Sequence, residues 1–213
     1  DPAFHDNVYW RGRIWPPLNF MTYQGLRRYG FDDTAAEFAR RCHELFMLNW
    51  SEDRICGENF SAVTGRADDQ PDTDLFYTWG ALLAYVAVAE TTDVTPWQGW
   101  TLNNTGEDVA LDGFLSAAGN TSLRVQDGTL TVSAAGTTLL ETTARGRLTH
   151  TVLTGPERSV TLPRQDKPAH ISFSDLDPTR IASVTLDGQA LDRTTTMDLP
   201  KDASGRLVVS LKP

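Results

Sequence analysis

The spacing of apolar residues changes period once along this chain of 213 residues, near Thr91, and no single layer of secondary structure accommodates both halves. Up to Glu90 apolar side chains recur at intervals of three and four, the spacing of a helix face. Beyond Thr91 they alternate in short runs, Ser122-Leu-Arg-Val, Thr129-Leu-Thr-Val, Arg147-Leu-Thr-His-Thr-Val and Leu207-Val-Val-Ser-Leu, as strands with one buried face do. Two domains are therefore expected, helical over residues 1–95 and β-sandwich over 96–213.

Within the first part three helices are predicted. Pro16-Pro17 suits a first turn, where a missing N–H costs nothing, and Leu18, Met21, Leu26 and Tyr29 recur behind it up to a stop at Gly30. A second helix starts at Asp32 or Asp33, either able to cap the free N–H groups, and runs to Trp50 with Ala36, Phe38, Ala39, Cys42, Leu45, Phe46 and Leu48 inward. The third, Thr78 to Glu90, is apolar on nearly every side. Three helices on long loops leave much apolar surface uncovered, which implies further helices outside the chain. In the second part, Asp127-Gly128 and Asp187-Gly188 separate strand runs and fit hairpin turns, whose central residues need positive φ.

The net charge of −9 argues against nucleic acid as a partner, since phosphate binding draws on clustered Lys and Arg. No apolar run approaches the roughly 20 residues that span a bilayer, so no membrane partner is expected. Two cysteines, Cys42 and Cys56, are too few for a disulfide framework and lack ligand spacing. Asp1-Pro2-Ala3-Phe4 is neither a methionine start nor a signal peptide, so the chain is expected to begin in mid-protein, with its compartment, cytoplasmic or secreted, left open.

Two segments carry groups suited to sugar chemistry. Tyr9-Trp10-Arg11-Gly12-Arg13-Ile14-Trp15 offers aromatic faces for the C–H faces of a pyranose and guanidinium forks for its hydroxyls. The other reading of these residues is tryptophans filling a core and arginines facing solvent. In Cys56-Gly57-Glu58-Asn59-Phe60-Ser61 a carboxylate follows a glycine and precedes an amide, so Glu58 could be held by local bonds, or could be an ordinary surface glutamate. Asp68, Asp69, Asp72 and Asp74 make an acidic loop without the order of a calcium-binding loop, and His5 and His43 have no partner at ligand spacing, so neither metal nor cofactor is expected.

The run YWRGRIWPPLNFMTYQGLRRYG, then GENFSAVTG, then FYTWGALLAYV, resembles glycoside hydrolase family 63 and its relatives, the mannosylglycerate hydrolases and bacterial α-glucosidases. The resemblance covers residues 1 to 90 and implies the C-terminal part of an (α/α)6 toroid, followed here by the antiparallel β-sandwich. It further implies that Tyr9, Trp10, Arg11 and Trp15 line a sugar subsite, that Trp79 is the aromatic opening the last helix, and that Glu58 is the general base of an inverting hydrolase. In such a reaction one carboxylic acid protonates the leaving oxygen while a carboxylate roughly 6.5 to 9.5 Å away activates water. The family's acid is an aspartate on an earlier hairpin; neither Asp6 nor Asp74 lies in a matching segment, so the acid is expected on the remaining N-terminal part of the same enzyme, continuous or a separate cleaved chain. Two departures bear on substrate: Phe60 stands where tyrosine is usual, and Arg66 to Leu75 is longer and more acidic. The alternative is a non-catalytic carbohydrate-binding or accessory module.

Overall fold

A computed structural model describes Pro2 and Asn7–Pro213; the expectations placed on His5 and Asp6 lie outside the described residues. The chain divides into two compact units, Asp1–Glu90 and Thr91–Pro213.

In the first unit the described residues form three α-helices: α1 (Pro16–Arg28), α2 (Asp32–Trp50) and α3 (Leu82–Thr91), with 3-10 turns at Tyr9–Arg11 and Thr78–Ala81. The prolines occupy the first turn of α1, and the helix stops at Gly30, whose φ of 76° only glycine adopts without strain. The Phe31 N–H then reaches back to the Leu26 carbonyl at 3.0 Å, a Schellman-type closure. Neither Asp32 nor Asp33 caps α2; Phe31 holds that position without a side-chain bond, and both aspartates sit in the first turn, where they favour the positive end of the helix dipole.

The expected (α/α)6 toroid is not present. A ring of six helical hairpins cannot be built from three helices, and the structure is mostly antiparallel sheet. The apolar face predicted for α1 is also displaced. Leu18, Met21 and Tyr29 are exposed, while Tyr23 and Arg27 point inward. Helix α2 buries Ala35, Ala39, Cys42 and Asn49, with Leu48 outward. The periodicity was helical, but its core-facing stripe lies elsewhere because loop residues complete the core: Ile55, Phe60 and Ala67 pack with Tyr23, Ala39, Leu83 and Val86.

The second unit has thirteen strands among the described residues: β1 (Thr92–Thr95), β2 (Gly99–Asn104), β3 (Val109–Ser116), β4 (Gly119–Gln126), β5 (Thr129–Ala134), β6 (Thr137–Thr142), β7 (Gly146–Val152), β8 (Glu157–Leu162), β9 (Ala169–Ser172), β10 (Ile181–Leu186), β11 (Gln189–Leu191), β12 (Thr196–Leu199) and β13 (Gly205–Leu211). They build two antiparallel sheets, in the orders β1-β2-β7-β8-β13-β10-β11 and β12-β9-β6-β5-β4-β3. Leu102, Leu148, Val160 and Leu207 from the first share a core with Leu123, Leu130, Leu140 and Ile171 from the second, as in a sandwich. Asp127-Gly128 and Asp187-Gly188 take positive φ at both positions, so the right-handed strand twist continues through these hairpins.

Candidate active site

The two sequence segments singled out for sugar chemistry meet in the first unit through main-chain bonds. Ile14 and Phe60 exchange both hydrogen bonds of an antiparallel bridge, at 2.8 and 3.0 Å. Cys56 pairs in parallel with the chain around Phe76: its N–H donates to the Leu75 carbonyl at 3.0 Å, and its carbonyl accepts from Tyr77 N–H at 2.8 Å. Three stretches distant in sequence, around residues 9–15, 56–60 and 73–79, are thereby stitched together.

The aromatic residues form one connected cluster. Trp10 stacks on Trp15 with centroids 3.6 Å apart and planes inclined by 13°, while Tyr9 meets both edge-on at 5.7 and 4.8 Å. Trp15 contacts Trp79 edge-on at 6.3 Å, and Trp79 lies 4.5 Å from Tyr77. Trp15 is buried, whereas Trp10 is 57% exposed and Arg11 beside it is also exposed. The Trp15 indole N–H donates to the Tyr9 carbonyl at 3.3 Å, which folds the segment back on itself. Tyr9 holds a φ of 42°, an uncommon conformation for a bulky side chain.

Glu58 is half-buried and held at several points. Its N–H donates to the Asp74 carbonyl at 2.8 Å, and its own carbonyl accepts the Trp79 indole N–H at 2.7 Å. Its carboxylate accepts from the Asn59 amide at 3.3 Å. Neighbouring backbones approach so closely that a Cβ on Gly80 would lie 2.6 Å from the Gly57 carbonyl oxygen and 2.7 Å from that of Cys56. A Cβ on Gly57 would lie 2.6 Å from the Ala67 Cβ. Both glycines are thus required by contact rather than by φ.

Around this loop, buried Asn49 donates to the Leu45 and Gly65 carbonyls, both at 2.9 Å, and accepts from Ala67 N–H. Ser61 accepts from Val63 and Thr64 N–H and from the Asn7 amide. In the acidic loop Arg66 binds Asp68 and Asp53, and its bond to Asp68 holds that carboxyl below the usual carboxylate range; Asp69 accepts from Thr64 and Gln70. Among the described residues no group of three or more His, Cys, Asp or Glu is placed to hold a metal ion. Both cysteines are free and buried, and burial pushes their thiols up, partly offset at Cys42 by the Asn19 amide.

The sequence reading named Tyr9, Trp10, Arg11, Trp15, Trp79 and Glu58. The structure brings the four aromatic rings into contact and links Glu58 to them through the Trp79 indole. It also shows residues that reading passed over: Asn59, which donates to the carboxylate, Arg13 and Thr73, which bond Asn59, and Gly80, packed against the Cys56 and Gly57 backbone. Arg13 was within the quoted motif, but nothing in the sequence distinguished it from Arg11. Thr73 lies in an acidic loop with no pattern to mark it.

Comparison with known families bears on the class of protein to which the first unit is similar. Residues 1–80 match the mannosylglycerate hydrolase MGH1-like glycoside hydrolase domain. Two proteins of Selaginella moellendorffii, mannosylglycerate hydrolase MGH1 and mannosylglycerate hydrolase MGH2, are each 42% identical over 45 residues, 21% of this chain. That stretch spans only 9% of the length of either relative. No solved structure matches the chain. The matches support a glycoside hydrolase family for the first unit.

Proposed function

We propose that this chain is part of an inverting glycoside hydrolase that cleaves α-glycosidic bonds of the α-mannoside or α-glucoside type, with Glu58 as general base. The observation that carries this reading is a half-buried glutamate, its carboxylate bonded by Asn59, whose main-chain carbonyl is held by Trp79 of an aromatic cluster that leaves Trp10 exposed. Trp10 is the sugar platform, Trp15 and Trp79 set its position, and Arg11 offers donors to sugar hydroxyls. Glu58 takes the proton from a water attacking the anomeric carbon on the face opposite the leaving oxygen. The general acid comes from a segment upstream of these residues, as part of the same enzyme.

The test is hydrolysis of mannosylglycerate and of α-glucosides, with the anomer of the released sugar followed by proton NMR. Release of the inverted anomer, with turnover falling by several orders of magnitude in Glu58→Gln, supports the reading. Unchanged turnover in that variant would remove Glu58 as the base. Sugar binding without hydrolysis in the complete protein would instead favour an accessory, carbohydrate-binding role.

A further inference from the structure

The side chain of Asn59 is fully buried and joins two unlike neighbourhoods. Its Oδ1 accepts from Arg13 Nη1 at 3.1 Å and from Thr73 Oγ1 at 2.9 Å. Its Nδ2 faces the Glu58 carboxylate at 3.3 Å. An amide can in general be turned end for end, but a guanidinium has no acceptor, so whatever amide atom faces Arg13 must be the oxygen. The donor end is thereby directed to Glu58. Arg13 is itself fixed: Nε donates to the Asn7 carbonyl at 3.1 Å and Nη1 also reaches Thr73 Oγ1 at 3.1 Å. The Thr73 hydroxyl thus accepts from Arg13 and donates to Asn59.

We infer that Asn59 is a positioning residue for the Glu58 carboxylate, oriented by Arg13 and Thr73, and this rests on the reading of Glu58 as the base. With its main chain held by Asp74 and Trp79, Glu58 keeps only side-chain torsions free, and the Asn59 donor restrains those. A base locked into one rotamer loses no time or free energy searching for its water, and the restraint acts in kcat rather than in substrate affinity.

The discriminating variant is Asn59→Asp. Aspartate is nearly isosteric and still accepts from both Arg13 and Thr73, so a role limited to holding those two residues survives the change; at Glu58 the donor is replaced by a second carboxylate, so kcat is compared on the alkaline plateau of the pH profile, where both are ionised. We expect kcat on the hydrolysed α-glycoside to fall by about 10- to 100-fold with KM within about twofold, the range for a hydrogen bond to a charged group. An independent readout needs no turnover. In proton–nitrogen NMR spectra of the folded protein, Glu58→Ala should shift one of the two Asn59 Nδ2 protons while the backbone amides of Arg13 and Thr73 stay in place.

Wild-type kinetics in Asn59→Asp beside an inactive Glu58→Gln would overturn the role of Asn59 and leave Glu58 as base. Full activity in Glu58→Gln would overturn the base and with it the catalytic meaning of Asn59. Unmoved Nδ2 protons in Glu58→Ala would overturn the contact itself, whatever the kinetics, and that measurement stands even if Asn59→Asp fails to fold.

Discussion

The Trp79 indole N–H donates to the main-chain carbonyl of Glu58 at 2.7 Å, so this aromatic ring is a strut for the loop that carries the carboxylate. The same ring contacts Trp15, which carries Trp10 on its face. Trp10 and Glu58 therefore share one mechanical support, and changes at its joints should be felt at both.

Gly80 is the tightest of those joints. Gly80→Ala places a methyl group 2.6 Å from the Gly57 carbonyl oxygen, against backbone that cannot swing away. The loop must shift, at a cost of about 1–3 kcal/mol for overpacking. Urea unfolding followed by the helical circular-dichroism signal, which comes from α1 to α3, should show a lowered midpoint.

The stacked tryptophans separate affinity from stability. Trp10→Ala removes a ring that is 57% exposed, so sugar binding should weaken at little cost to folding. Trp15→Ala removes one that is buried, and about 3–5 kcal/mol of stability should go with it. Calorimetric titration with the sugar, alongside thermal melts, distinguishes the two. Equal loss of stability in both variants would count against the platform.

In the second unit Arg158 and Asp175 form a largely buried ion pair at 2.7 Å, and Arg158 further donates to the Gly155 carbonyl. Asp175→Ala strands a buried guanidinium and should destabilise the sandwich by about 3–5 kcal/mol. The double change Arg158→Met with Asp175→Leu should recover most of that loss, because no charge is then left without its partner. Denaturant midpoints of the two variants provide the comparison.

Cys42 and Cys56 are buried, and burial raises both thiols above their ordinary titration range. Below that range the thiolate, the reactive form, is scarce in the folded protein. Iodoacetamide at about pH 8 should leave the native chain unmodified by intact-mass measurement and label both cysteines in denaturant. Rapid labelling of the native protein would show that the loop carrying Cys56 opens readily.

Much of the secondary structure was legible in the sequence because it is set locally. Pro16-Pro17 and Gly30 punctuate α1, and the Asp-Gly pairs punctuate the hairpins, each through its own backbone preference. The packing was less legible. Leu18, Met21 and Tyr29 mark a stripe that faces outward, since the core is completed by Ile55, Phe60 and Ala67 from a loop that no periodicity announces. The toroid was an expectation borrowed from a resemblance rather than a reading of these residues, and three helices do not make one. Of the site, Glu58 and the tryptophans stood out by type and motif. The link from Arg13 through Asn59 depends on main-chain bridges that bring Thr73 alongside, which no spacing along the chain encodes.

Those bridges, Ile14 with Phe60 and Cys56 with Phe76, are made of amides and carbonyls that every residue except proline possesses. The frame around Glu58 is thus written in a language indifferent to side-chain identity. Drift at Ile14, Cys56 or Phe76 leaves it intact so long as the substitute is not proline and fills a similar volume, whereas at Gly57 and Gly80 even a methyl group forces its neighbours to shift. Divergent descendants of such a chain would keep the shape of the cradle long after most of its letters had changed, with two glycines as the surviving trace.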